Sequence, residues 1–248
     1  MTVRTPYPAP MGSGLRWSTR ALMIAVVFTT LTAALTAATA SAASSGADTA
    51  IAKSGVFVAS DLPAGFEPSA PSTKTHADNI RLAKGVDGCA PYVGVQKTVA
   101  ALPQAKSPRF ADDTRGIGNE VDVFPTERAA SAALALYAKS SVVGCLENLF
   151  EKQTRQDPSL RDSVDDVLVD LDRQDIAGLG DQSVVYEGSI SLSGSDGSTK
   201  QVGIGSAAVR VGRAVDVVTY TTTGAALTDV LAPAIDASVA RLRTALAR

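Results

Sequence analysis

The chain is poor in the residues from which enzymes most often build sites. It has one histidine, one tryptophan and two cysteines in 248 residues. A single histidine excludes a multi-histidine metal centre within one copy. No Gly-x-Ser-x-Gly sequence occurs, so the strand-to-helix elbow that presents a nucleophilic serine is missing. Clustered lysine and arginine are also lacking. Three of the 23 basic residues, Arg4, Arg16 and Arg20, fall in the first 42 positions, leaving 20 against 25 acidic residues in the rest. An acidic body is poor material for gripping a phosphate backbone, so nucleic acid is not expected as a partner. Hydrophobic residues at 45% and charged ones at 19% exclude a wholly disordered chain.

What the N-terminus does have is a three-part pattern. Those three arginines, with no acid among them, precede an apolar run from Ala21 to Phe28 that continues through Ala- and Thr-rich sequence. Ala40-Ser41-Ala42 then supplies small residues at the positions a signal peptidase requires. Residues 1–42 therefore read as a signal peptide, with the mature chain beginning at Ala43. The alternative is an uncleaved anchor over residues 21–43, because the uncharged stretch is long enough to span a bilayer. A membrane is a partner only on that alternative. No cysteine lies near the cleavage site, which excludes lipid attachment there. The expected location is secreted, or extracellular.

Export changes how the cysteines read. Cys89 and Cys145 both lie in the exported part, and an even count outside the cytoplasm points to a disulfide. Closing a loop of that length stabilises by roughly 4 kcal/mol in the chain-entropy model. Two buried free thiols are the alternative.

Residues 43–55, rich in Ala, Ser and Gly, read as a flexible leader, and residues 56–248 as a single α+β domain. Within it, Thr75 caps a short helix over 75–84, and Gly85 to Pro91 form a turn that carries Cys89. Residues 100–116 read as a loop. Ile117 to Phe124 alternate as a strand, with Val121 and Val123 opposed to Glu120 and Asp122. Thr126 caps an Ala-rich helix to about Lys139, and Gly144-Cys145 precedes another helix to about Arg155. From Ser163 the period becomes two. Four strands follow, joined by hairpins at Ser193–Ser198 and Gly212-Arg213, with a phase slip near Ser206 that suggests a bulge. A long helix with Pro233 inside its pattern closes the chain. The fold class is α+β: an antiparallel sheet with helices on one face and a long C-terminal helix.

The chemistry-bearing patterns are weak. Gly203-x-Gly205 matches part of a dinucleotide fingerprint, but a strand follows it where a helix is needed. Asp170, Asp172, Gln174 and Asp181 have the spacing of a calcium loop, yet Asp175 stands where that loop needs glycine. His76 sits in a polar segment and reads as solvated. As a catalytic base it would need a pocket joining it to a serine or an acid. No catalytic, cofactor-binding or metal-ligating residue emerges, and no cofactor is expected.

Three features in order carry a resemblance: Gly118-Asn-Glu-Val-Asp-Val-Phe-Pro125 entering an Ala-rich helix, Gly144-Cys145-Leu146, and Gly178-Leu-Gly-Asp181 leading to strands that end in Val209-Arg-Val-Gly212. Together they resemble the PknH-like extracellular sensor domain of actinobacteria, over about residues 56–247. The resemblance implies a helix-backed antiparallel sheet with a ligand cleft and no catalytic residues. The function expected is an exported, non-catalytic ligand-binding or sensor-like domain of the cell envelope. Its partner would be an unknown small molecule or an envelope component. A secreted hydrolase with an unrecognised site, or a structural envelope protein, is the alternative. The cleft is expected between the sheet and the loops around Cys89 and residues 100–116.

Overall fold

The computed structural model describes residues 46–70, 75–157, 160, 163–223 and 228–248. The expected signal peptide and the start of the leader lie outside them. Among the described residues six α-helices and eight strands follow in the order α1 Gly46–Gly55, β1 Glu67–Ser69, α2 His76–Ala83, α3 Ala90–Val99, β2 Gln104–Lys106, β3 Arg109–Ala111, β4 Arg115–Val123, α4 Glu127–Tyr137, α5 Ser140–Arg155, β5 Asp166–Gln174, β6 Gln182–Ser193, β7 Thr199–Val211, β8 Ala214–Thr222 and α6 Thr228–Leu246, with a short 3-10 turn at Ala59–Asp61. Among the described residues no single helix is long and apolar enough to cross a membrane.

All pairings are antiparallel, in one sheet of order β1-β3-β4-β8-β7-β6-β5, with β2 paired to the second half of β4. The hairpins read from the sequence are present. Gly212 takes a positive φ of 52° between β7 and β8, where a side chain would be strained. The α+β class, the antiparallel sheet and the long C-terminal helix are as the sequence indicates.

The distribution of helices differs from the expectation of one covered face. Along β7, Val202, Ile204 and Ala208 enter one core with Ala133, Leu134, Leu146 and Phe150 of α4 and α5. The intervening Ala207, Val209 and Val211 enter a second core with Ala52 of α1 and Ile235, Val239 and Leu242 of α6. Neighbours on a strand point to opposite faces, so the middle of the sheet is covered on both. That explains the phase slip near Ser206. The register from Gln182↔Arg210 to Ser193↔Thr199 runs unbroken, so there is no bulge; the strand reads as apolar on both parities because it is buried on both.

Four further expectations are corrected. Residues 46–55, inside the expected flexible leader, form α1, whose Ala52 is fully buried. Cys89 ends a turn but immediately precedes α3, a helix concealed by Pro91 and a run of Val and Thr. The segment 100–116 contributes β2 and β3 to the sheet rather than a free loop. Gly144-Cys145 lies inside α5, which begins at Ser140; the break between α4 and α5 falls at 138–139. The caps Thr75 and Thr126 accept from Asp78 N–H and Ala129 N–H as expected.

Candidate functional site

The first two helices after the N-terminal region set the site. Thr75 and Asp78 form a reciprocal cap that starts α2, and the Gly85–Gly88 turn, with positive φ at both glycines, reverses the chain into α3. Cys89 is joined to Cys145 of α5, with the Cα atoms 5.0 Å apart. The disulfide read from the cysteine count is therefore present, and it fastens the α2–α3 turn to α5.

Beside this staple lies an open cavity of about 480 Å³, lined by Gly85, Val86, Asp87, Asn148, Glu151, Lys152, Arg155 and Gln156. The sequence reading expects a cleft between the sheet and the loops around Cys89 and residues 100–116, and this cavity lies elsewhere, against the Gly85–Asp87 turn. Its other wall is α5 rather than the sheet, and residues 100–116 take no part in it. The lining mixes both signs of charge. Lys152 Nζ donates to Leu82 O at 2.9 Å, and Arg155 pairs with Glu151 and Asp166 at 2.9 Å each. These bonds hold the cations along the rim; Asn148 Nδ2 donates to Gly144 O at 2.8 Å, and its Oδ1, with Gln156 and Asp87, faces the side a polar ligand would approach.

Behind α2 lies a second polar group, within the protein. His76 is 7% exposed, not solvated as the sequence reading has it. Its Nδ1 is 3.0 Å from Gln96 Oε1 on α3, and its Nε2 is 2.9 Å from Gln104 Oε1 on β2. Asn79 Nδ2 also donates to Gln96 Oε1, at 3.5 Å, which marks that oxygen as the acceptor. With an oxygen at each nitrogen and the Glu120 carboxylate beside Nε2, the arrangement favours protons on both and an imidazolium ring. Glu120 Oε1 stands 3.4 Å from Nε2, and Glu120 Oε2 stands 3.4 Å from Lys106 Nζ. Burial works to strip the proton from His76, but Glu120, Gln104 and Gln96 outweigh it and hold the ring up to about 9.

Sequence reasoning missed this cluster because it took the polar side of β4 for a solvent face. Glu120 is 4% exposed and Asp122 fully buried, both on the side covered by α2–α5. The alternation of two acids with valines suits a solvent face equally well; only the fold shows that the strand is paired on both edges.

No protein-family model matches the chain, and no curated protein matches it. Among solved structures, it is similar to the extracellular domain of PknH from Mycobacterium tuberculosis, at 10% identity and a TM-score of 0.40, over 77% of this chain and 94% of that one. That is a likeness of fold only. The Ran-binding protein Mog1p of Saccharomyces cerevisiae also aligns, at 13% identity and a TM-score of 0.17, over 55% of this chain and 76% of that one. Neither likeness carries a residue, a ligand or a partner across.

The remaining sequence candidates are dispersed. Asp170, Asp172 and Gln174 lie along the exposed side of β5, whereas Asp181 accepts from Gly212 N–H at 2.7 Å. Among the described residues no three His, Cys, Asp or Glu side chains gather as metal ligands. Gly203 and Gly205 are interior to β7; a Cβ on Gly205 would stand 2.1 Å from the Tyr220 ring, so that glycine makes room for an aromatic.

Proposed function

We propose that this chain is an exported, non-catalytic binding or sensor-like domain of the cell envelope, and that its ligand is a small polar molecule taken up beside the Cys89–Cys145 staple. The cavity there carries this reading. Its 480 Å³ is in the range of small-molecule sites, and its rim offers amides and both signs of charge. The disulfide fixes one wall to the other and favours an oxidising compartment. The hydrolase alternative needs His76 as a base within reach of substrate. Both ring nitrogens are occupied within the fold, which argues against that role.

The experiment is a melting-shift screen of small polar compounds against the oxidised protein, with a broad hydrolase screen beside it. A ligand at a hundred times its Kd raises stability by about 2.7 kcal/mol. Expected is a shift without turnover that disappears in Asn148→Trp, where a bulky ring fills the cavity. Turnover that His76→Ala abolishes would establish the hydrolase instead.

A further inference from the structure

A second buried polar group lies on the opposite face of the sheet. Asp216, near the start of β8, is fully buried. Asn119 of β4 is oriented by the Phe57 N–H, which donates to its Oδ1 at 2.8 Å. Its Nδ2 therefore faces two acceptors, Gly55 O at 3.0 Å and Asp216 Oδ1 at 2.8 Å. Ser238 of α6 places its Oγ 2.7 Å from that same Gly55 O and 2.5 Å from Asp216 Oδ2.

These four contacts need four protons. Asn119 brings two and Ser238 one; the carbonyl brings none. If Asp216 were ionised, Ser238 would give it the only hydroxyl proton. Its remaining lone pairs would then face those of Gly55 O at 2.7 Å, a repulsive contact in a dry site. A proton on Asp216 Oδ2 completes the set: Asp216 donates to Ser238, and Ser238 donates to Gly55 O. We infer that Asp216 is a proton-bearing latch, a neutral acid that holds the end of α1 on the sheet through Ser238 and Gly55, and whose ionisation loosens α1.

The surrounding charges fit this role. From α6, Arg241 spends its donors on Asp61, at 2.7 and 2.8 Å, and on Ser54 O and Val56 O. It binds the same stretch of backbone but does not neutralise Asp216. From α1, Asp48 pairs with Arg213 at 2.5 Å, and Lys53 is exposed. Across the ladders on β4 and β7, Asp216 faces Val121 and Val209. Burial pushes the Asp216 carboxyl up to about 7, against the smaller opposing pull of Ser238, Asn119 and Arg241. The folded group thus holds its proton more tightly than an unfolded aspartate at 3.8. Its contribution to stability is full below about pH 4 and is lost as pH rises to about 7.

The test follows the Phe57 amide by hydrogen exchange and the Asp216 carboxyl by carbon-13 NMR, in the whole oxidised protein. Between pH 5 and 7, the Phe57 protection factor should fall more than about tenfold, after correction for intrinsic exchange. In Asp216→Asn it should stay flat, because that amide accepts from Asn119 and donates to Ser238 as the neutral acid does. A flat wild-type profile, or a carboxyl midpoint at or below about 4, would overturn the latch. So would an Asp216→Asn protein that unfolds at pH 5. The wild-type titration decides the matter without any variant.

Discussion

The two faces of the sheet each bury an acid, and they treat it in opposite ways. On the α2–α5 face, Glu120 meets two cationic groups, His76 and Lys106. On the α1–α6 face, Asp216 meets an amide and a hydroxyl, while the nearby Arg241 is committed to Asp61. A buried carboxylate is tolerable when counter-charges share its site; without them the group keeps its proton. The difference teaches that the partners decide the form, since both side chains are almost wholly buried. It also separates the pH responses. Asp216 loses its contribution between about pH 4 and 7. His76, held above its ordinary 6.5, contributes fully below 6.5 and loses its contribution as pH rises towards 9.

The largest break is covalent. The Cys89–Cys145 bond staples only the α2–α5 face. Its removal, by Cys89→Ser with Cys145→Ser, should cost about 4 kcal/mol in urea unfolding. The α1 latch should survive, with Phe57 protection at pH 5 falling only as far as global stability does. Early loss of Phe57 protection would show that the two faces are not separable.

Second is Glu120→Gln. It leaves His76 and Lys106 without their anion and should cost about 3 kcal/mol at pH 6, because breaking one side of a buried pair strands the other. The decline in wild-type stability between pH 6.5 and 9 should largely vanish, since the main group holding the His76 proton is gone. An unchanged slope would place the source of that pH dependence outside the cluster. The Asp216 window below pH 7 should be untouched in either case.

The same contrast explains what could be read from the sequence. Hairpins, helix caps and the disulfide depend on residues close in sequence or on a simple count, and these were legible: Thr75, Thr126, Gly212-Arg213, Cys89 with Cys145. The cavity was not: the sequence places a cleft between the sheet and the loops around Cys89 and residues 100–116, whereas the cavity lies between the Gly85–Asp87 turn and α5. The buried acids were not. Glu120 meets His76 from 44 positions away and Asp216 meets Asn119 from 97, and no local pattern encodes such pairings. α1 was missed for the same reason. Its Ala, Gly and Ser composition is that of a linker, and what fixes it comes from Asn119, Ser238 and Arg241. The double coverage of the sheet was written in β7, whose valines and alanines occupy both parities, but that pattern equally suits a bulge.

The smallest expected effect sharpens the comparison most finely, because it weakens one face without touching its charges. Thr75 caps α2, accepting from Asp78 N–H at 3.2 Å and donating to Asp78 Oδ2 at 2.8 Å. Thr75→Ala removes both bonds and should cost about 1 kcal/mol, the usual worth of a threonine cap. His76 is the first residue of the helix that Thr75 starts, yet the groups that hold its proton belong to α3, β2 and β4. Stability should therefore drop by the same amount at pH 6 and at pH 9, leaving the slope between them as in the wild type. Parallel stability curves would show that the cluster is held by the sheet and α3. If instead the slope flattens, the cap itself sets the position of the imidazolium, and the charge cluster depends on the start of α2 rather than on the sheet beneath it.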